Sequence, residues 1–175
     1  MSDDSTAGKA PKSNNGSDTA AAEPAASALI VNAQYIKDLS FEAPATPAVF
    51  GLLQRQQPQI NLNINVTATP MQQNMFEVVL SIKAECKAGE TVCFILELDY
   101  GGLFTLNVED QYRQAVLLIE CPRMLFPFAR HLVSVVSRDG GFPPVMIGPI
   151  DFVALYQQRL QEAQKQQAES GATTA

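Results

Sequence analysis

Residues that could perform chemistry are few in this 175-residue sequence. Its one histidine, His131, lies in a stretch with helical periodicity, where a lone histidine is more often structural than catalytic. Gly101-Gly102 lacks the following Lys-Ser/Thr of a phosphate-binding loop. The sequence has three cysteines, Cys86, Cys93 and Cys121, and no two of them have the C-x-x-C spacing of a zinc or redox site. We therefore expect no catalytic residue, no metal site and no cofactor, and we expect the cysteines to be buried, reduced thiols.

Charged side chains offer a second kind of chemistry. The formal net charge of -6 argues against nucleic-acid binding, which needs clustered Lys and Arg. From Glu77 to Asp110 there are seven acidic residues and two lysines, whereas from Arg113 to Arg138 there are four arginines and one acid, Glu120. The first segment could form a negative face that docks a basic partner. An ordinary solvated face is an equally good interpretation of the same charges.

Strands must position most of these acids. A strand is predicted wherever apolar and polar residues alternate, because successive side chains point to opposite faces. The alternation is clear in Gln59–Thr67, Phe76–Cys86 and Thr91–Leu106, and less regular in Leu29–Glu42. Residues 87–90 are predicted to form a hairpin turn, and Gly101-Gly102 is predicted to form a bulge or bend. The sequence thus predicts four antiparallel strands, each buried on one face.

A long helix is predicted after the strands. Acids at 109–110 favour its beginning, and the Arg-Asp-Gly-Gly segment at 138–141 favours its end. Pro122 and Pro127 are predicted to break or kink it, because proline lacks the N–H that a helix interior uses. Apolar residues lie on more than one side of this helix: Tyr112, Ile119, Leu125, Phe128 and Leu132 form the main stripe, and Leu117, Leu118, Val133 and Val135 lie off it. One side could cover the sheet and the other a second subunit.

The fold class that follows is α+β: a four-stranded antiparallel sheet, a long kinked helix and a C-terminal helix that begins at the N-cap Asp151 and ends near residue 166. Residues 1–28 and 168–175 are poor in large apolar side chains, and we expect both tails to be disordered around a single domain, 29–167. The acidic start carries no apolar segment of signal-peptide length, and no apolar run approaches the roughly 20 residues of a membrane span. A cytoplasmic location without membrane insertion is therefore expected.

Two irregular segments, Pro44–Pro58 and Gly141–Pro149, carry apolar side chains beside the predicted sheet. Extended polypeptides could bind in a groove between such segments. Alternatively, both segments simply cover the core, which is the commoner arrangement in globular domains.

Several separated motifs resemble one family, the SecB export chaperones. They are YIKDLSFEAP at 35–44, ELDYGGLF at 97–104, CPRMLFPFAR at 121–130, GGFPP at 140–144 and PIDFVALY at 149–156. The resemblance extends in order from about residue 29 to residue 166. It implies a homotetramer, a dimer of dimers with helices packed between sheets. It also implies ATP-independent binding of unfolded precursor proteins and their delivery to the SecA motor ATPase.

The same resemblance implies two kinds of site. The zinc-bearing C-terminal tail of SecA would dock on an acidic sheet face, at positions that correspond to Asp38, Glu42, Ile95 and Glu97. The apolar substrate groove would include Tyr35, Ile60, Leu62, Ile64, Tyr156 and Leu160, to which we add Phe50 and Phe142 from their neighbouring segments. Some members carry a tryptophan in the loop before Pro58, whereas this chain has none.

Two other functions stay open at this point. One is a SecB-like chaperone devoted to a toxin–antitoxin system, which genomic neighbours would identify. The other is an α+β protein that binds, or turns over, a small molecule in an apolar cavity beside the sheet, which ligand-dependent turnover would identify.

Overall fold

The computed structural model describes residues 28–172, with side chains up to residue 165. The elements are β1 (Leu29–Glu42), α1 (Val49–Leu53), β2 (Gln59–Gln72), β3 (Met75–Ala88), β4 (Thr91–Leu106), α2 (Asp110–Ala115), a π-helical segment (Val116–Glu120), α3 (Cys121–Asp139) and α4 (Phe152–Ala172). The predicted disordered tail 1–28 lies outside the described residues except for Ala28. Helix α4 continues five residues past the predicted domain boundary at 167, and residues 173–175 are not described.

The four strands form one antiparallel sheet in the order β1-β4-β3-β2, which confirms the predicted α+β fold class. A two-residue turn, Gly89-Glu90, joins β3 to β4, and Gly89 takes the positive φ of 59° that favours glycine. β1 pairs with β4 at one edge, and β2 forms the other edge. The connection from β1 to β2, predicted as a loop, contains the short helix α1, and Val49 of this helix is fully buried.

The predicted bulge at Gly101-Gly102 is wrong, because β4 continues through both glycines without a register shift. A methyl group on Gly101 would lie 2.8 Å from the ring of Tyr35, and one on Gly102 would lie 2.6 Å from Phe104 and 2.8 Å from Leu125. The two glycines therefore serve close packing, one on each face of the sheet.

Of the two predicted effects of the prolines, a break or a kink, the break does not occur. The helical run continues from Asp110 to Asp139, and Pro122 stands at the first turn of α3. The turn before it is π-helical, and the Cys121 N–H donates to the Val116 carbonyl. Pro127 lies inside α3 on an exposed side, where water can reach the carbonyl that lacks a helical donor.

The stripe of the long helix that covers the sheet differs from the main stripe expected. Residues spaced by four are buried here: Leu117, Cys121, Leu125, Ala129 and Val133. Tyr112 and Phe128 of the main stripe are exposed, whereas Leu125 of the same stripe is buried. The helix is thus apolar on two sides, as predicted, and the structure shows which residues face the sheet.

A buried hydroxyl fixes the connector between α3 and α4. Ser137 Oγ donates to the Val133 carbonyl at 2.9 Å and accepts from the Val145 N–H at 2.9 Å. The connector then places Phe142 against Phe94, with ring centroids 4.9 Å apart, and against Phe41. Among the described residues no helix is long and apolar enough to cross a membrane.

Candidate functional site

The two faces of the sheet differ in chemistry because the strands alternate. The face toward the helices, called here the inner face, carries most of the buried apolar side chains. The opposite face, called the outer face, carries the acids of β1 and β4. Glu42 lies directly opposite Ile95, Ser40 opposite Glu97, and Asp38 opposite Asp99. The register therefore brings the four predicted docking residues together on one small area of the outer face.

A shallow cavity of about 200 Å³ lies at this area. Its polar lining residues are Asp38, Asn63, Ser81, Lys83, Glu97 and Asp99. Lys83 forms an ion pair with Glu97, with a Nζ–Oε1 distance of 2.6 Å. Like charges directly opposite each other on a sheet are destabilising, and Asp38 and Asp99 are such a pair. The outer face is thus an acidic surface that retains unneutralised charge.

Tyr35 also lies on the outer face, so the structure separates it from the other predicted groove residues. Its hydroxyl donates to Glu77 Oε1 at 2.5 Å, and Lys37 Nζ contacts Glu77 Oε2 at 2.7 Å. Burial, together with the neighbouring carboxylate, raises the pKa of Tyr35 to about 12. The hydrogen bonds from Lys37 and Tyr35 lower the pKa of Glu77. Tyr35 has a structural role here, and its ring covers Gly101.

The inner face is not covered along the whole of β2. Ile60, Leu62, Ile64 and Val66 all point to this face, since they pair with Cys86, Ala84, Ile82 and Leu80 of β3. Ile60 is 43% exposed and Leu62 is 42% exposed, whereas Val66 is 1% exposed. Alternation alone predicted a buried face here, whereas the family resemblance placed Ile60, Leu62 and Ile64 in a substrate groove. The first half of β2 therefore presents an open apolar strip, which ends where Val66 is buried.

Phe50 and Phe142 lie in contact, with ring centroids 5.4 Å apart. Phe142 is buried, whereas Phe50 on α1 remains exposed above it. Phe142 also contacts Phe94, whose register partner Cys86 pairs in turn with Ile60. The two phenylalanines thus lie at the same end of the sheet as the open strip of β2. Phe50 is the accessible member of this pair, and Phe142 supports it from below.

Tyr156 and Leu160 lie on α4, which begins at its predicted N-cap. Asp151 Oδ1 accepts from the N–H groups of Val153 and Ala154, each at 3.0 Å. Together with Leu118 and Arg159, Tyr156 and Leu160 line a cavity of about 370 Å³.

Arg159 holds α4 against the second half of β2. Its Nη1 donates to the Val66 carbonyl at 2.5 Å. This anchor places α4 at Val66, so the predicted groove residues other than Tyr35 form two patches, one around the strip with Phe50 and one on α4.

Sequence reasoning missed a further apolar surface. Ile36, Leu39 and Phe128 are exposed, and a cavity of about 290 Å³ is lined by Ile36, Phe128 and the ring of Tyr100, among others. A register shift between Ile36 and Asp38 leaves Lys37 without a register partner on β4. The shift lets Ile36 and Leu39 point to the same inner face. The irregular alternation of β1 was the signal of this surface.

The thiols behave as buried groups. Burial raises the pKa of Cys86 to about 12, with a contribution from Cys93, and burial with the nearby Glu120 raises the pKa of Cys121 to about 12. All three cysteines are free and buried. No group of three or more His, Cys, Asp or Glu residues within the described range could hold a metal ion.

Comparison with known proteins gives a consistent result. The family model described as preprotein translocase subunit SecB matches residues 22–163. A protein-export protein SecB of Rhodospirillum rubrum is 49% identical over 144 residues, which cover 82% of this chain and 89% of that protein. Another, from Granulibacter bethesdensis, is 51% identical over 153 residues, which cover 82% and 87%.

A solved structure shares the fold. It is a SecB-like chaperone of Mycobacterium tuberculosis in complex with a ChAD peptide from an antitoxin, with a TM-score of 0.58 and 14% identity, covering 70% of this chain and 91% of that one. The family match over most of the chain, together with relatives at about half identity, shows that this chain belongs to the SecB family.

Proposed function

We propose that this protein-export chaperone holds unfolded precursor proteins on the inner face of its sheet and presents the outer face to the SecA motor ATPase in the cytoplasm. The observation that carries the proposal is the division of one sheet into an open apolar strip and an acidic face. Family membership supports the export role and favours binding over catalysis.

Client binding would use the apolar strip of β2 with Phe50 beside it, and the separate patch on α4. Phe50, Ile60, Leu62 and Leu160 are exposed apolar side chains, and unfolded chains expose apolar segments that a folded protein hides. Fully burying one such side chain contributes about 1.5–3 kcal/mol before the cost of ordering the client. Each contact is weak, so a long client needs several of them, and release requires no nucleotide.

Docking to SecA would use Asp38, Glu42, Ile95 and Glu97. Ile95 supplies an apolar centre among carboxylates, which suits a basic partner such as the zinc-bearing tail of the motor. The docking residues and the client strip lie on opposite faces of the sheet. A precursor and the motor could therefore bind at the same time, as handover of the precursor requires.

Assembly into a tetramer would cover the surface formed by Ile36, Leu39 and Phe128. This surface combines the edge strand β1 with the uncovered side of α3, and such a combination buries well against a second copy. We propose a dimer of dimers with helices between the sheets. Several client grooves on one particle would then raise the effective concentration for a long client.

The decisive experiment mixes the purified chain with an unfolded, reduced precursor and measures both the particle mass and the refolding rate of the precursor. We expect a tetramer that binds the unfolded chain and delays its refolding without ATP. The same precursor added in its folded form is the control and should not bind. Unchanged refolding at saturating chaperone would contradict the holding function.

A chaperone of a toxin–antitoxin system is the second candidate. The fold shared with the SecB-like chaperone that binds an antitoxin peptide keeps this candidate open, and the export names of relatives at about half identity favour export. An antitoxin gene beside the gene of this chain, with selective binding of its product, would favour the second candidate.

A further inference from the structure

We propose that Lys83 is a built-in competitor for the cationic partner of the outer face. Its ammonium group forms an ion pair with the Glu97 carboxylate. A basic tail that docks at Glu97 must first displace this ammonium group. The inference rests on the proposed docking function of this face, and it adds a residue that sets how tightly the partner binds.

The geometry places Lys83 directly at the docking residues. Lys83 of β3 lies opposite Glu97 of β4 in the sheet register, and their Nζ–Oε1 distance is 2.6 Å. The lysine side chain is 55% exposed and the glutamate side chain is 48% exposed, so a partner can reach both. The hydrogen bond to Glu97 also raises the pKa of Lys83, which therefore stays charged in the cellular pH range.

The surroundings make Lys83 the counter-ion of this cavity. Three carboxylates line the cavity, those of Asp38, Glu97 and Asp99, and Lys83 is the cation among its lining residues. The nearest lysine on β1, Lys37, is already paired with Glu77. A partner's lysine or arginine would thus meet Asp38 and Asp99 without a local competitor, but would meet Lys83 at Glu97.

The energetics allow displacement. Exposed ion pairs contribute little to stability, so the Lys83–Glu97 pair can open at small cost. Docking of a basic tail must break the Lys83–Glu97 ion pair, and the cations of the tail are then repelled by the Lys83 ammonium. Removal of the lysine should therefore tighten binding of the tail about two- to fivefold. Faster association should account for part of the gain, since charges at the rim of an interface mainly affect the rate of encounter.

The test compares two single substitutions in the full-length protein, Lys83→Gln and Lys87→Gln. Lys87 is also on β3 and pairs with Glu85 at 3.0 Å, so both variants lose one positive charge from the same strand. The probe is the zinc-loaded C-terminal tail peptide of SecA, titrated by calorimetry at low salt. We expect Lys83→Gln to bind the peptide about two- to fivefold more tightly than Lys87→Gln does. The difference should vanish when Glu97→Gln is added to both variants.

Three results separate the inference from the docking function beneath it. If the two lysine variants bind equally while Glu97→Gln loses binding, Lys83 is no competitor and the docking face stands. If Lys83→Gln binds more weakly than Lys87→Gln, the lysine contributes to docking and the inference is overturned. If Glu97→Gln binds as well as the unaltered chain, the docking site itself lies elsewhere, and the role of Lys83 is overturned with it.

Discussion

The inner and outer faces of this sheet are built from alternate residues of the same four strands. On β4, Leu96, Leu98 and Phe104 point inward and are buried, while Ile95, Glu97 and Asp99 point outward. The difference teaches that alternation gives one sheet two faces of opposite chemistry. Under the proposed function, a client bound to the apolar strip of β2 and a motor domain bound to the outer face would not compete, because the backbone of the sheet separates them.

The faces also differ in how tightly they are packed. The inner face is fixed by side chains such as Phe104 and Leu125 that have no exposed surface, whereas outer side chains such as Lys83 are half exposed. Substitutions of buried inner-face residues should therefore alter stability, and those of exposed residues on either face should alter partner binding. The following predictions test this division, beginning with the largest expected effect.

Charge reversal at Glu97 should weaken binding of the SecA tail about a hundredfold, because a like charge at an interface costs several kcal/mol. Binding of an unfolded precursor should stay nearly unchanged, since Glu97 does not face the helices. Both affinities can be measured by calorimetry on the Glu97→Lys variant. Glu90→Lys, which makes the same charge change in the β3–β4 turn, is the control. Equal loss of both affinities in Glu97→Lys would break the division between the faces.

Substitution of each of the two adjacent glycines by alanine should lower the free energy of unfolding by different amounts on the two faces. Gly102→Ala would crowd Phe104 and Leu125, neither of which can move outward, and we expect a loss of about 1–3 kcal/mol. Gly101→Ala would meet only the ring of Tyr35, which lies at the half-buried edge strand and can shift. Urea unfolding of both variants should give the larger loss for Gly102→Ala. The reverse order would show that the outer face is packed as tightly as the inner one.

Polar substitution in the open strip should have the smallest effect. Leu62→Gln should weaken binding of an unfolded precursor by about 1 kcal/mol, because a half-exposed side chain gains only part of the full burial energy. Ile30→Gln is the matched control, since Ile30 is 41% exposed but pairs with Thr105 on the outer face. Refolding delay of a precursor measures both effects. An equal effect of the two variants would mean that general surface hydrophobicity, and not the strip, binds clients.

The sequence predicted the sheet well because alternation is a local signal. Every strand of β1 to β4 was expected, and so was the N-cap at Asp151. The side of the long helix that faces the sheet was not predicted, because Tyr112 and Phe128 are as apolar as Leu117 and Val133. Only packing against the sheet distinguishes the two sides. The spacing by four from Leu117 to Val133 identifies the buried side once the π-helical turn at Val116–Glu120 is known.

The candidate site was predicted less completely. The docking residues came from a resemblance, and the register explains why they lie together, but their role remains a prediction. Alternation told which side chains of β2 share a face and could not tell how far the helices extend over that face. The resemblance could not tell on which face Tyr35 of β1 lies: it pairs with Gly101 on the outer face, and its role in the groove stays a prediction.

The same strand has a consequence for aggregation. A chaperone keeps unfolded chains close to its own sheet, and a flat edge strand of 14 residues would be a template for cross-β pairing. β1 has two register shifts, between Val31 and Ala33 and between Ile36 and Asp38, and a lysine stands at the second. Bulges that twist an edge, together with lysines on it, are the devices by which natural sheets resist unwanted strand addition. The irregularity of β1 thus disfavours the addition of a further strand at this edge of the sheet, whereas β2, the edge that carries the open apolar strip, has a single register shift near its end, between Pro70 and Gln72.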